Sequence, residues 1–188
     1  MKQSFLVLRP DVSPEQVEEA LVDLGLEWDG TLEGDGQRLS HEEIWVTPDE
    51  TQGVAVVACP LAGKVYLAVR GKDVEALATE LHARIPTYSR AECIALASSA
   101  SVHDDRVRAL YRIAVTFHEF NAEAFEIFRA FSVDAPDALL REAAVDAMGY
   151  RRWPEFAPLL EQIIQADPAE TVQERAAAIL PHVLAAAT

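Results

Sequence analysis

Two hydrophobic periods run along the chain, and they change places near residue 88. Before it, short β-rich apolar runs alternate with turn residues and two helical stripes. After it, only the helical period remains. "SFLVLRP", from Ser4, is a short strand closed by Pro10. "SPEQVEEALVDLG" carries the punctuation of a helix: Ser13 caps it, Pro14 takes its first position, Gln16 completes a capping box and Gly25 closes it. Val17, Ala20, Leu21 and Leu24 fall at i, i+3, i+4 and i+7, one apolar stripe. "LEWDGTLEGDGQRL" follows, with two expected turns at Asp29-Gly30 and Gly34-Asp35-Gly36. "EEIWVTPDETQG" reads as a strand and a turn, and "GVAVVACPLAGKVYLAVRG" as a hairpin joined at Pro60–Gly63. Val74, Leu77, Ala78 and Leu81 mark a second helix.

The expected order is β-α-β-β-β-β-α with hairpin connections. That pattern describes a small, mostly antiparallel sheet with helices on one face. "IPTYS", Ile85 to Ser89, is the boundary, because Pro86 breaks helix and Ser89 can cap the next one. The fold class is therefore α+β, with an α/β domain over residues 1–88 and an all-α domain over 89–188.

The second domain repeats itself. "VRALYRIAV", "LREAAVDAMG" and "VQERAAAIL" begin at Val107, Leu140 and Val172, anchors 33 and 32 residues apart. Their stripes are Val107, Leu110, Tyr111 and Ala114, then Leu140, Ala143, Ala144 and Ala147, then Val172, Arg175, Ala176 and Ile179. Only Arg175 departs from apolar character. Each segment follows a polar turn, and each turn follows another apolar helix, so a helix–turn–helix unit occurs three times.

An Asp-rich turn, then Leu-Arg, small residues and a closing Gly stand here as Asp137, Leu140, Arg141, Ala144, Ala147, Met148 and Gly149. This resembles the HEAT repeat. Val107-Arg108 after Asp104-Asp105 matches at its start, with Tyr111 where a small residue belongs, and the last unit has Gln173 in place of the Arg. The ankyrin and tetratricopeptide signatures are absent. The short period is closer to the compact HEAT-like repeats first noted in phycobilin lyases. The resemblance covers about residues 89–188 and implies an α-solenoid of about three helix pairs. It implies that Asp137 and Arg141 tie adjacent repeats. It also implies that the second helix of each pair lines the concave side, where Arg108, Arg112, Arg141, Asp146, Gln173 and Glu174 lie outside the core stripe. Pro181 is expected to bend or end the last helix. Val183-Leu184 then form an apolar tail that caps the stack or pairs with a second copy.

Charge narrows the functional classes. The chain of 188 residues has a formal net charge of -15, split almost evenly between its halves. Such a field repels nucleic-acid backbone and anionic membrane, and either favours a basic partner or simply keeps the protein soluble. HEAT-like glycosylases that bind DNA use a basic groove, the opposite of this chain. The N-terminal apolar run is too short for a signal peptide and no run suits a membrane span, so the expected location is cytoplasmic. Cys59 and Cys93 lie far apart without a CxxC pair, which gives no disulfide framework or zinc site.

Catalytic motifs are missing. There is no GxGxxG, Walker or GxSxG sequence, and His41-Glu42-Glu43-Ile44-Trp45 fails as HExxH at its last position. His103-Asp104-Asp105 reads as a turn with helix-start acids, His118-Glu119 as a helix end, and Cys93 as a buried thiol. His82 and His182 stand alone on helices. No cofactor is implied. "GYRRWPEF" joins two repeats and gathers Tyr150, Arg151, Arg152 and Trp153, the types enriched in interface hot spots. Trp153 has a second reading, as a packed residue where a helix begins before Pro154. With Arg108 and Arg112 these residues form the expected partner-binding set. The expected function is non-catalytic protein binding, by an adaptor or scaffold or by a bacterial immunity-type protein that blocks a basic toxin. The rival is an accessory or catalytic subunit of a lyase-like enzyme.

Overall fold

The computed structural model describes residues 3–34, 40–59 and 64–186. The chain divides into two compact units, Met1–Ser89 and Arg90–Thr188.

In the first unit, strands β1 (Gln3–Val7), β2 (Glu27–Leu32), β3 (His41–Val46), β4 (Gln52–Cys59) and β5 (Lys64–Gly71) form one antiparallel sheet in the order β1-β5-β4-β3-β2. β2 to β5 are a meander, and β1 adds to the far side of β5. Helix α1 (Pro14–Asp23) makes the crossover from one edge to the other, and α2 (Val74–Arg84) follows β5. The capping box forms in full: Gln16 N–H donates to Ser13 Oγ at 3.3 Å, and Ser13 N–H donates to Gln16 Oε1 at 2.9 Å. Gly25 sits at φ +76°, the left-handed conformation that ends a helix. Val17, Ala20 and Leu21 of α1 and Val74, Leu77, Ala78 and Leu81 of α2 are buried in one cluster with Trp45, Val54, Leu67 and Val69 of the sheet. Both helices therefore share one sheet face. Val7, Ala55, Val57, Tyr66 and Ala68, on the other face, are buried too, which explains why β4 and β5 read as nearly continuous apolar runs.

One turn of the sequence reading is corrected. Asp29-Gly30 lies inside β2, where the register with β3 shifts between Trp28 and Gly30. Asp29 is the extra residue of a bulge, a place as suited to Asp-Gly as a turn. Of the expected turn Gly34-Asp35-Gly36 only Gly34 is among the described residues, and the turn at Pro60–Gly63 lies outside them.

The second unit contains α3 (Arg90–Ser99), α4 (His103–Thr116), α5 (Ala122–Arg129), α6 (Ala138–Arg151), α7 (Ala157–Ala166) and α8 (Glu170–Ala185). α5 runs into a π-helical turn, Ala130–Asp134, and a 3-10 turn, Pro154–Phe156, precedes α7. α4 packs on α6 and α6 on α8, while α3 packs on α4 and α7 on α8. Pro181 does not end α8, which continues to Ala185. Proline there cannot donate to the Ala177 carbonyl and its ring crowds that carbonyl, yet the helix runs on for another turn. Val183 is fully buried and Leu184 half-exposed. No helix among the described residues is long and apolar enough to cross a membrane.

Candidate functional site

Two places gather polar side chains. The first is the set of turns in the helical unit. Asp137 caps α6, accepting from Leu139 N–H at 3.0 Å, and lies 2.7 Å from His103 Nδ1 at the start of α4. One turn into α6, Arg141 donates from Nε to Asp167 Oδ2 at 2.8 Å and from Nη2 to Asp167 Oδ1 at 3.0 Å. A third bond, from Nη1, reaches the Ala135 carbonyl at 2.8 Å. Asp167 in turn accepts from Ala169 N–H at 2.8 Å, where α8 begins. Both side chains of this pair are almost fully buried. Burial alone would raise the Asp167 carboxyl. The hydrogen bonds from Arg141 and Ala169 and the Arg141 charge outweigh it and hold the carboxyl below its ordinary range. The side chains His103, Asp137, Arg141 and Asp167 thus form a ladder from the start of α4 through α6 to the start of α8.

The expected partner-binding residues divide. Arg108 is exposed and pairs loosely with Asp105 at 3.5 Å. Arg112 is 7% exposed, because α4 is buried from Ala109 to Thr116. Trp153 is 3% exposed. It stacks on Phe156 with ring centroids 5.1 Å apart and meets Phe120 and Phe128 edge-on. Its indole N–H donates to the His118 carbonyl at 3.3 Å. Arg112 and Trp153 are therefore packed residues rather than surface, and for Trp153 the packing reading holds. Tyr150 and Arg151 are half-buried and Arg152 is exposed. Arg151 lies 3.0 Å from His118 Nδ1 and over the Tyr150 ring, so these side chains do meet. Burial first, and then the Arg151 charge, lower the His118 pKa. Arg152 closes α6 in the left-handed conformation, φ +56°.

The other candidate groups are accounted for locally. Burial pushes the Cys93 thiol up, against a weak bond to Thr116 Oγ1 at 3.5 Å and the Arg112 charge, so its reactive thiolate is disfavoured. His82 is bonded to Thr87. Among the described residues no group of three or more His, Cys, Asp or Glu is placed to hold a metal ion.

The second place is a half-open cleft of about 910 Å³ in the first unit, between α1 and the sheet face that α1 and α2 cover. His41, Glu43 and Trp45 alternate along β3 and contribute to its floor. His41 Nδ1 lies 3.3 Å from Glu33 Oε2 and its Nε2 lies 3.8 Å from Glu43 Oε1. In sequence the stretch fails the metal motif HExxH at its last position. The signal it carried was period 2: ionisable residues two and four positions before a core tryptophan, hence on the core face. No family model, curated protein or solved structure matches the chain.

Proposed function

We propose that the chain is a non-catalytic protein-recognition module, an adaptor or immunity-type protein of the cytoplasm. In this reading the helical unit is a HEAT-like solenoid of three helix pairs, and the partner is a basic protein. The observation that carries the reading is the turn ladder. A HEAT-like stack needs side chains that tie one helix pair to the next, and Arg141 with Asp167 is such a tie, buried and bidentate. The succession of α4 on α6 on α8 supports the same stack. The polar side chains at the heart of this unit are thereby committed to structure, and recognition falls to the surface. Arg108, Tyr150, Arg151 and Arg152 are the accessible members of the expected set. The net charge of -15 supplies the long-range attraction that a basic partner would feel.

The test is affinity capture on the immobilised full chain from a native lysate of the source organism. The expected result is one basic protein retained in near-equimolar amount and released by salt. Retention of no stoichiometric protein, or turnover of a small molecule by the chain itself, would overturn the reading.

A further inference from the structure

Face-alternation in β3 puts His41 and Glu43 where a buried sheet face calls for apolar side chains. Trp45 pairs with Val54, Glu43 with Val56 and His41 with Ala58, and Val54 and Val56 pair onward with Val69 and Leu67. All of these lie on the face that α1 and α2 cover, and Trp45, Val54, Leu67 and Val69 belong to its core. The side chains of His41 and Glu43 are not buried but 41% and 47% exposed. They line a cleft whose apolar parts include Val12 and Val17 opposite Trp45 and Val56. Its volume of about 910 Å³ lies within the range of small-molecule sites, about 300–1,000 Å³. Trp45 is 7% exposed, and its indole N–H is buried without an acceptor among the described residues.

The charge of the lining selects the ligand. Glu18 and Glu43 line the cleft, and Glu33 joins them through His41. Arg9 also lines it, with its guanidinium 4.9 Å from the centre of the Tyr88 ring. Among the described residues the acids outnumber it. We propose that this cleft is a binding site for a small organic cation, an apolar body against Trp45, Val17 and Val56 with an ammonium group at Glu43. The inference concerns the first unit only and stands whether or not the helical unit recognises a protein.

The experiment titrates the full chain with three probes of one apolar length, octylammonium, octanol and octanoate, by calorimetry and amide chemical shifts. Octylammonium is expected to bind about tenfold tighter than octanol, with octanoate weakest, and to shift β3 and α1 amides. Glu43→Gln is expected to bring octylammonium to the affinity of octanol and to leave octanol unchanged. Ala58→Phe, which fills the cleft and removes no charge, is expected to abolish binding of both, with far-UV circular dichroism as the check on folding. Equal binding of the three probes would overturn the proposal, as would an ammonium preference that survives Glu43→Gln. Tighter binding of acetyl-Leu-Lys-Leu-amide than of octylammonium would overturn it in favour of a peptide site.

Discussion

Arg141 shows how far one residue's meaning depends on its partner. Its place in the repeat pattern marked it as a tie, but the acid it holds, Asp167, is 26 residues further on. Nothing in the local pattern points there. Asp137, four residues before it, caps α6 and faces His103 instead. Because the Arg141–Asp167 pair is buried, removing one partner strands a charge. Arg141→Ala is expected to cost about 3–5 kcal/mol in chemical denaturation. Arg141→Met with Asp167→Leu is expected to cost less than either single change, since no charge is then left behind. The pair also sets an acid limit. The folded carboxyl of Asp167 titrates below its unfolded range of about 4. Its stabilisation is therefore complete above that range and is lost as pH falls through the folded value. Asp146, raised by burial against the Arg175 charge, works in the opposite direction, so the difference between wild type and Asp167→Asn isolates the effect. Asp167→Asn is expected to flatten the fall in stability below about pH 4.

At the scale of elements, the legible features were those whose cause is local. The capping box and stripe of α1 need only neighbours, and both form as the spacing predicts. The bulge at Asp29 was not legible, because Asp-Gly suits a turn and a bulge alike and the choice rests on pairing with β3. Arg175, the one polar member of its stripe, is a further case. Its guanidinium meets Asp146 of α6 at 2.6 Å, a cross-helix pair that a single helix cannot reveal. Gly149 belongs to the same interface. A Cβ there would fall against Ile179 of α8, closer than real side chains approach. Glycine at this site lets α6 and α8 come together. Gly149→Val is expected to destabilise the chain by about 1–3 kcal/mol. Adding Ile179→Ala should recover part of that loss, whereas additive losses in thermal denaturation would place the cause elsewhere.

For the whole molecule, the α+β class and the antiparallel sheet followed by helices were legible, because hydrophobic period 2 gives way to period 3.6 along the chain. The cleft was not. Its lining comes from the β1–α1 connection, α1, β3, β4 and β5 together, and no one segment carries its signature. Surface accessibility was only partly legible, since Arg112 and Trp153 have interface chemistry but are held inside the helical unit. The central claim is recognition of a basic protein by a chain of net charge -15, and the association rate with the captured partner tests it most directly. If the field of this chain steers encounter, that rate should fall about tenfold as ionic strength rises from about 0.01 to 0.15 M, with a much smaller change in dissociation rate. An association rate that does not change with salt would contradict the claim.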